Sequence, residues 1–123
     1  MAENVSMMSA AKLAFLGDAV FELLVREIIV SDFEGSIGRL HELKIGKVCC
    51  EAQSEMFVKI ENLLTEEELS VYKRGRNLKS GRVPKGSSPA NYRRASGLEA
   101  LFGYLYLSGN MARAYEFLKI MNI

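Results

Sequence analysis

An all-α fold is what this sequence predicts, on three observations. Apolar residues recur at helical spacing through long segments, alternating β-branched runs are few, and the only two prolines, Pro84 and Pro89, fall in one short stretch. At 123 residues the chain reads as a single domain over 1–123, long enough to bury a core. Its 49% apolar and 25% charged residues are ordinary for a globular protein and argue against disorder.

The elements follow in order. A first helix is expected from about Ser9 to Ser31, across "KLAFLGDAVFELLVR". A second begins near Ser36 and carries Ile37, Leu40, Leu43, Ile45, Val48, Ala52, Met56, Phe57 and Ile60 to about Asn62. Thr65 followed by Glu68 has the form of a capping box, so a third helix starts there and continues toward Arg74. Ser88 before Pro89 reads as an N-cap followed by proline at the first helical position, opening a helix through "NYRRASGLEALFGYLYL" that stops at Gly109. "NMARAYEFLKIM" closes the chain as a last short helix.

Several classes of protein are excluded at this level. No apolar run reaches the ~18 residues of a membrane span, because Glu22, Arg26 and Glu27 interrupt the best candidate. The start "MAENVSMMSAAK" lacks the basic and apolar regions of a secretory signal, so a cytoplasmic location is expected. Cys49 and Cys50 are adjacent; they cannot staple distant segments, lack zinc-site spacing and read as packing residues of a reducing compartment. His41 is the only histidine, and in "RLHELK" it is either structural or within reach of a phosphate.

Charge is unevenly placed. The net charge is +1, yet Lys73 to Arg94 holds eight of the 16 lysines and arginines and no acid. The stretch "GRNLKSGRVPKGSS" between the helices is rich in Gly, Ser and Pro and is expected to be a surface loop over about 75–88. Such a loop is either a solvated linker or the footprint of a phosphate-rich partner, and this density of cations favours nucleic acid. A membrane surface fits less well, since the stretch has no apolar face.

Two acids interrupt the apolar helices: Asp18 in the first, and Glu99 in "RRASGLEALFGYLYLSG". An ionised carboxylate in an apolar setting costs several kcal/mol unless something pairs with it or coordinates it. Gly17 precedes Asp18, while Gly97 and Gly103 bracket Glu99. A glycine inside a helix costs about 1 kcal/mol relative to alanine, tolerable where two helices approach closely. The two helices are therefore expected to cross near their glycines and bring Asp18 and Glu99 together as buried acids. Two such carboxylates repel and raise one pKa unless a cation lies between them, and hard oxygen donors select Mg²⁺ or Mn²⁺. The other reading pairs each acid with an arginine, Arg26 or Arg94. On the residues alone both stay open.

"LAFLGDAV" resembles the signature octet of the ribonuclease III family, and "LEALFGYLYL" resembles that family's second acidic helix. Order and spacing match over nearly the whole chain. Within the family the sequence is most similar to the Mini-III ribonucleases, which have the catalytic domain without a double-stranded RNA-binding domain, and the "YKRGRN" start of the basic loop is also similar to that subgroup. The resemblance implies a Mg²⁺-dependent homodimeric endonuclease, with Mn²⁺ as a possible substitute, that cuts double-stranded RNA and typically large-subunit ribosomal RNA precursor. It implies that Asp18 and Glu99 are the catalytic, metal-binding acids. Without a separate binding domain, the basic loop would hold the duplex through Arg74, Arg76, Asn77, Lys79, Arg82 and Lys85. Phe15 matches the aromatic residue that packs across the family's dimer interface; its other reading is ordinary core. Larger ribonucleases III carry two more acids, at the positions of Ala14 and Ser96 here. Glu22, one turn after Asp18, is either near the site or structural. The competing reading of the whole chain is a noncatalytic helical RNA-binding or ribosome-associated module.

Overall fold

A computed structural model of the chain describes residues 4–78, 83 and 85–123. Six helices follow one another: α1 (Ala10–Asp32), α2 (Ile37–Val48), α3 (Cys50–Phe57), α4 (Glu66–Arg76), α5 (Pro89–Leu107) and α6 (Met111–Met121), with 3₁₀ turns at Val5–Met7 and Glu61–Leu63. Among the described residues there is no strand.

The helix starts are local chemistry. Side-chain oxygens of Ser9, Ser36, Thr65, Ser88 and Asn110 each accept from the backbone N–H three residues on, satisfying donors that a helix N-terminus leaves orphaned. At α4 the capping box is complete, with the Thr65 N–H donating to Glu68 Oε1 at 2.8 Å. Glu68 then reaches further: buried at 4% exposure, it receives Arg113 Nε at 3.0 Å and so ties α4 to α6.

Helix α5 runs through the middle of the domain, packed by α1, α3, α4 and α6. That is why it is buried almost all round: Leu98, Leu101, Phe102 and Leu105 form one buried face, and Gly97, Ala100 and Gly103 are buried on the other side. Phe102 meets Phe21 of α1 edge-on at 5.2 Å, and Phe57 of α3 stacks on Tyr72 of α4 at 4.0 Å. Two crossings against α5 are tight enough to require glycine. A Cβ on Gly17 would sit 1.5 Å from the Glu99 carbonyl oxygen, and one on Gly103 would sit 2.1 Å from that of Leu13. On the other side Gly75 faces Gly97, whose own Cβ would strike the Tyr72 ring at 2.5 Å. Of the two glycines bracketing Glu99, only Gly103 therefore serves the crossing with α1; Gly97 serves the crossing with α4.

Two expectations are corrected. The single helix expected from Ser36 to Asn62 is two, α2 and α3, with an extended residue between them (Cys49, φ −69°, ψ 158°) and a 3₁₀ turn after them. No glycine or proline marks the break; it is held instead by the buried Gln53, whose Nε2 donates to the Val48 carbonyl at 2.9 Å. The basic segment also starts later than expected, because α4 continues through Gly75 and Arg76 to an Asn77 cap. The last helix turn is closed by Asn77 N–H on the Lys73 carbonyl at 2.9 Å.

Candidate active site

The crossing of α1 and α5 sets the positions of the two acids. With backbones nearly touching at Gly17 and Gly103, the neighbouring Asp18 and Glu99 carboxylates come within hydrogen-bonding reach of each other. They share a wall of an open cavity of about 310 Å³, completed by Ala11, Ala14, Phe15, Leu78, Tyr92 and Ser96. The two acids are not alike. Glu99 is mostly buried, whereas Asp18, expected to be buried, is exposed at the mouth. The difference follows from helix position: α5 is surrounded, while α1 is an outer helix whose far side faces solvent.

Burial pushes the Glu99 carboxyl up to about 8, and the nearby Asp18 charge adds to the effect, against a lowering by the Gln53 amide. The folded protein thus holds a proton on Glu99 that the unfolded chain, at about 4.5, has lost. The linked stability is present below about 4.5 and is lost as pH rises through about 8. In EDTA, the melting temperature of Glu99→Gln relative to the parent should therefore climb between pH 5 and pH 8. A difference that stays flat across that interval would refute the strained pair.

The arginine partners considered from sequence are engaged elsewhere. Arg26 pairs with Glu22 at 2.8 Å, and Arg94 Nη1 donates to Ser54 Oγ at 3.3 Å. Among the described residues no ion pair includes Asp18 or Glu99. Glu22 also has Lys44 Nζ at 3.9 Å, so cations lie against its carboxylate, and it lines a hollow together with Asp18. His41 is exposed and lines a separate apolar pocket of about 140 Å³ with Arg26 and Lys44. Cys49 and Cys50 are free thiols at the α2–α3 break.

Phe15 is not core: it is 85% exposed. It stands between the acidic cavity and a second hollow of about 450 Å³ lined by Leu16, Ala19, Glu22, Leu23 and Arg26. Leu23 and Val30 are exposed on the same side of α1. Of the basic residues, Arg74 is half-buried, and its guanidinium donates to the carbonyls of Met8, at 3.0 Å, and Ser6, fastening the N-terminal turn. Arg76 lies 5.9 Å over the Tyr72 ring and donates to Asn77 Oδ1 at 3.2 Å. Lys85 is exposed, and Lys79 and Arg82 lie outside the described residues.

Sequence reasoning missed Gln53. It is 3% exposed, its Nε2 lies 3.5 Å from Glu99 Oε2, and its Oε1 is buried without a hydrogen-bond partner among the described residues. A glutamine in the polar run "CEAQSEMF" carries no local sign of such a place.

What can this arrangement hold? Among the described residues no three His, Cys, Asp or Glu side chains converge as a metal cage. Two facing carboxylates, one held protonated for want of positive charge, suit a hard divalent cation that keeps most of its coordination for water and ligand.

Comparison with known proteins agrees with this geometry. Residues 11–110 match the family model described as the Ribonuclease III domain. The chain is 42% identical over 118 residues to the Mini-ribonuclease 3 of Thermoanaerobacter sp., covering 96% of this chain and 83% of that protein. It is 38% identical over 120 residues to that of Clostridium tetani, covering 97% and 80%. A crystal structure of a Fusobacterium nucleatum protein superposes with a TM-score of 0.89 at 30% identity, covering 98% of each chain. With the matched family model spanning α1 through α5 and both acids inside it, this chain belongs to the ribonuclease III family and is of the Mini-ribonuclease 3 kind.

Proposed function

We propose that this ribonuclease III-type endoribonuclease hydrolyses double-stranded RNA in a reaction dependent on Mg²⁺, with Mn²⁺ as a substitute, and that Asp18 and Glu99 hold the cation. The observation that carries the reading is the pair itself: Glu99, pushed up to about 8 by burial and by Asp18, faces that acid on the wall of an open cavity. A divalent cation supplies Lewis acidity toward the phosphodiester and makes water a nucleophile near neutral pH. The rest is the chain's own work. Asp18 would offer an exposed oxygen at the mouth, and Glu99 would offer a deprotonated one from the more buried side of the same wall. Ala14 and Ser96, where larger family members carry acids, line the same cavity with a methyl and a hydroxyl, which leaves room for substrate and water. The competing noncatalytic module has no use for this pair.

Cleavage of a long duplex RNA in magnesium, lost in EDTA and restored by Mn²⁺, tests the reading. Magnesium-independent cutting, or no cutting of any duplex, would overturn it. Large-subunit ribosomal RNA precursor in the bacterial cytoplasm is the proposed substrate, on the likeness to the Mini-III group. No helix among the described residues is long and apolar enough to cross a membrane.

The active form is proposed to be a homodimer built on the outer face of α1. A phenylalanine 85% exposed, with the exposed Leu23 and Val30 further along the same side of α1, leaves apolar side chains uncovered on one helix face, the kind of surface that a partner covers. Two such protomers would present two acidic sites to one duplex. Sedimentation is expected to show a dimer that Phe15→Ala splits. Because the side chain is exposed in the protomer, the melting temperature of the separated variant should fall only by what dimerisation contributes, and it should no longer rise with protein concentration. A parent protein that is monomeric at micromolar concentration while making double-strand cuts would refute this arrangement.

Duplex binding is assigned to Arg76, Asn77, Lys79, Arg82 and Lys85, acting on backbone phosphates. Arg74 was counted with them on sequence; its carbonyl partners give it an anchoring task. Neutralising Arg76, Lys79 and Lys85 together should weaken binding and flatten the log–log salt dependence by roughly one unit per lost phosphate contact. Arg74→Gln should instead lower the melting temperature with little change in slope. An unchanged slope in the triple variant would reduce the segment to a linker.

A further inference from the structure

We propose that Gln53 is a positioning residue of the acidic site: its amide NH₂, pinned by the Val48 carbonyl at the α2–α3 break, holds Glu99 Oε2 in the orientation that ligation of a divalent cation needs. The proposal rests on the reading of Asp18 and Glu99 as cation ligands.

The geometry determines which end of the amide faces the site. Nε2 lies 2.9 Å from the Val48 carbonyl oxygen and 3.5 Å from Glu99 Oε2. A carbonyl can only accept, so the NH₂ group must be the end turned toward it. The second amide proton is then directed at Glu99. At 3.5 Å this contact is at the long end of a hydrogen bond, and an ionised carboxylate draws its donors closer than a neutral one. The contact therefore tightens in the state that binds a cation.

The rest of the side chain is placed at a disadvantage that packing alone does not explain. Gln53 is 3% exposed, and its Oε1 is buried without a partner among the described residues. A leucine or methionine would fill the same space without burying Oε1, at the loss of the Val48 hydrogen bond, and that bond needs only one of the two amide protons and leaves unexplained why the same nitrogen also faces Glu99. The chain also departs from a continuous helix at Cys49. That break turns α3 onto α5, and so brings residue 53 against residue 99.

The test uses the full chain without RNA. Mn²⁺ binding is followed by the electron paramagnetic resonance of the free ion at pH 8.5, for the parent, Gln53→Met and Asp18→Asn. If Gln53 positions Glu99, the dissociation constant of Gln53→Met rises about tenfold or more, the usual penalty for losing a group that orients a ligand. Its melting temperature in EDTA should fall on either reading, because the Val48 carbonyl loses its donor, and its affinity for duplex RNA in EDTA should be unchanged. A merely structural glutamine predicts that lower melting temperature with Mn²⁺ affinity within twofold of the parent, and that outcome would overturn the proposal. A measurement on the unmodified protein guards against a variant that does not fold. The side-chain NH₂ resonances of Gln53 should shift during a Mg²⁺ titration and should not do so in Asp18→Asn; resonances that ignore Mg²⁺ in the parent would equally overturn it. Should the parent bind Mn²⁺ no better than Asp18→Asn, the site reading itself fails. Normal binding by the parent together with an unaffected Gln53→Met removes only the role of Gln53.

Discussion

Asp18→Asn and Glu99→Gln are each expected to lower duplex cleavage by roughly a thousandfold or more, because loss of a cation ligand forfeits several kcal/mol of charge stabilisation in the transition state. An amide keeps the shape of the carboxylate and removes the charge that ligates Mg²⁺. The fold should survive both changes. Without a cation the two carboxylates repel, and Glu99 is held well above its ordinary range by burial and by Asp18. Glu99→Gln should thus melt in EDTA at the same temperature as the parent or higher, most visibly near pH 8. Were these acids members of buried salt bridges, either change would strand a cation and cost about 3–5 kcal/mol; among the described residues no arginine or lysine pairs with them. Variants that melt early yet cleave at the parental rate in magnesium would sink the assignment.

Gly17→Ala should damage the protein by a different route. The added methyl carbon would lie 1.5 Å from the Glu99 carbonyl oxygen and 2.8 Å from the Gly103 nitrogen, both backbone atoms that cannot swing aside. Helices α1 and α5 must separate to admit it, at an expected cost of about 3 kcal/mol, the upper end of ordinary overpacking. Separation would also draw Asp18 away from Glu99, so cleavage should fall further than stability alone accounts for. Gly46→Ala supplies the control. It too replaces a helical glycine, but nothing lies within 4 Å of the new carbon, and a gain of about 0.5–1 kcal/mol is expected. Equal melting temperatures for the two variants would contradict the close crossing.

How far the sequence reaches can be judged from these same residues. The helix starts were legible because each depends on one side-chain oxygen and an N–H three residues away, as at Thr65 and Ser88. The meeting of the two acids was legible for a less local reason: glycine beside an acid in two apolar helices implied a crossing, and Gly17 does touch the backbone at Glu99. The break at Cys49 was not legible. It has no glycine, proline or capping hydroxyl, and the amide of Gln53 that stabilises it is an ordinary helix residue by composition. Arg74 looked like its basic neighbours until its guanidinium proved to be bonded to carbonyls 66 and 68 residues away.

The sequence by itself determined the all-helical class, the capped helix starts, the two acids set in apolar helices and the concentration of cations before α5, since each is written in neighbouring residues and in the periodicity of one helix. Only the tertiary structure decided that α5 is central and α1 peripheral. From that choice follow a Glu99 that is mostly buried, an Asp18 and a Phe15 that face solvent, and a Gln53 drawn against an acid 46 residues away. The physical reason is that burial and through-space hydrogen bonding depend on which helix faces meet. That is settled by how closely backbones can approach at Gly17, Gly75, Gly97 and Gly103, a property of pairs of helices and not of either one alone.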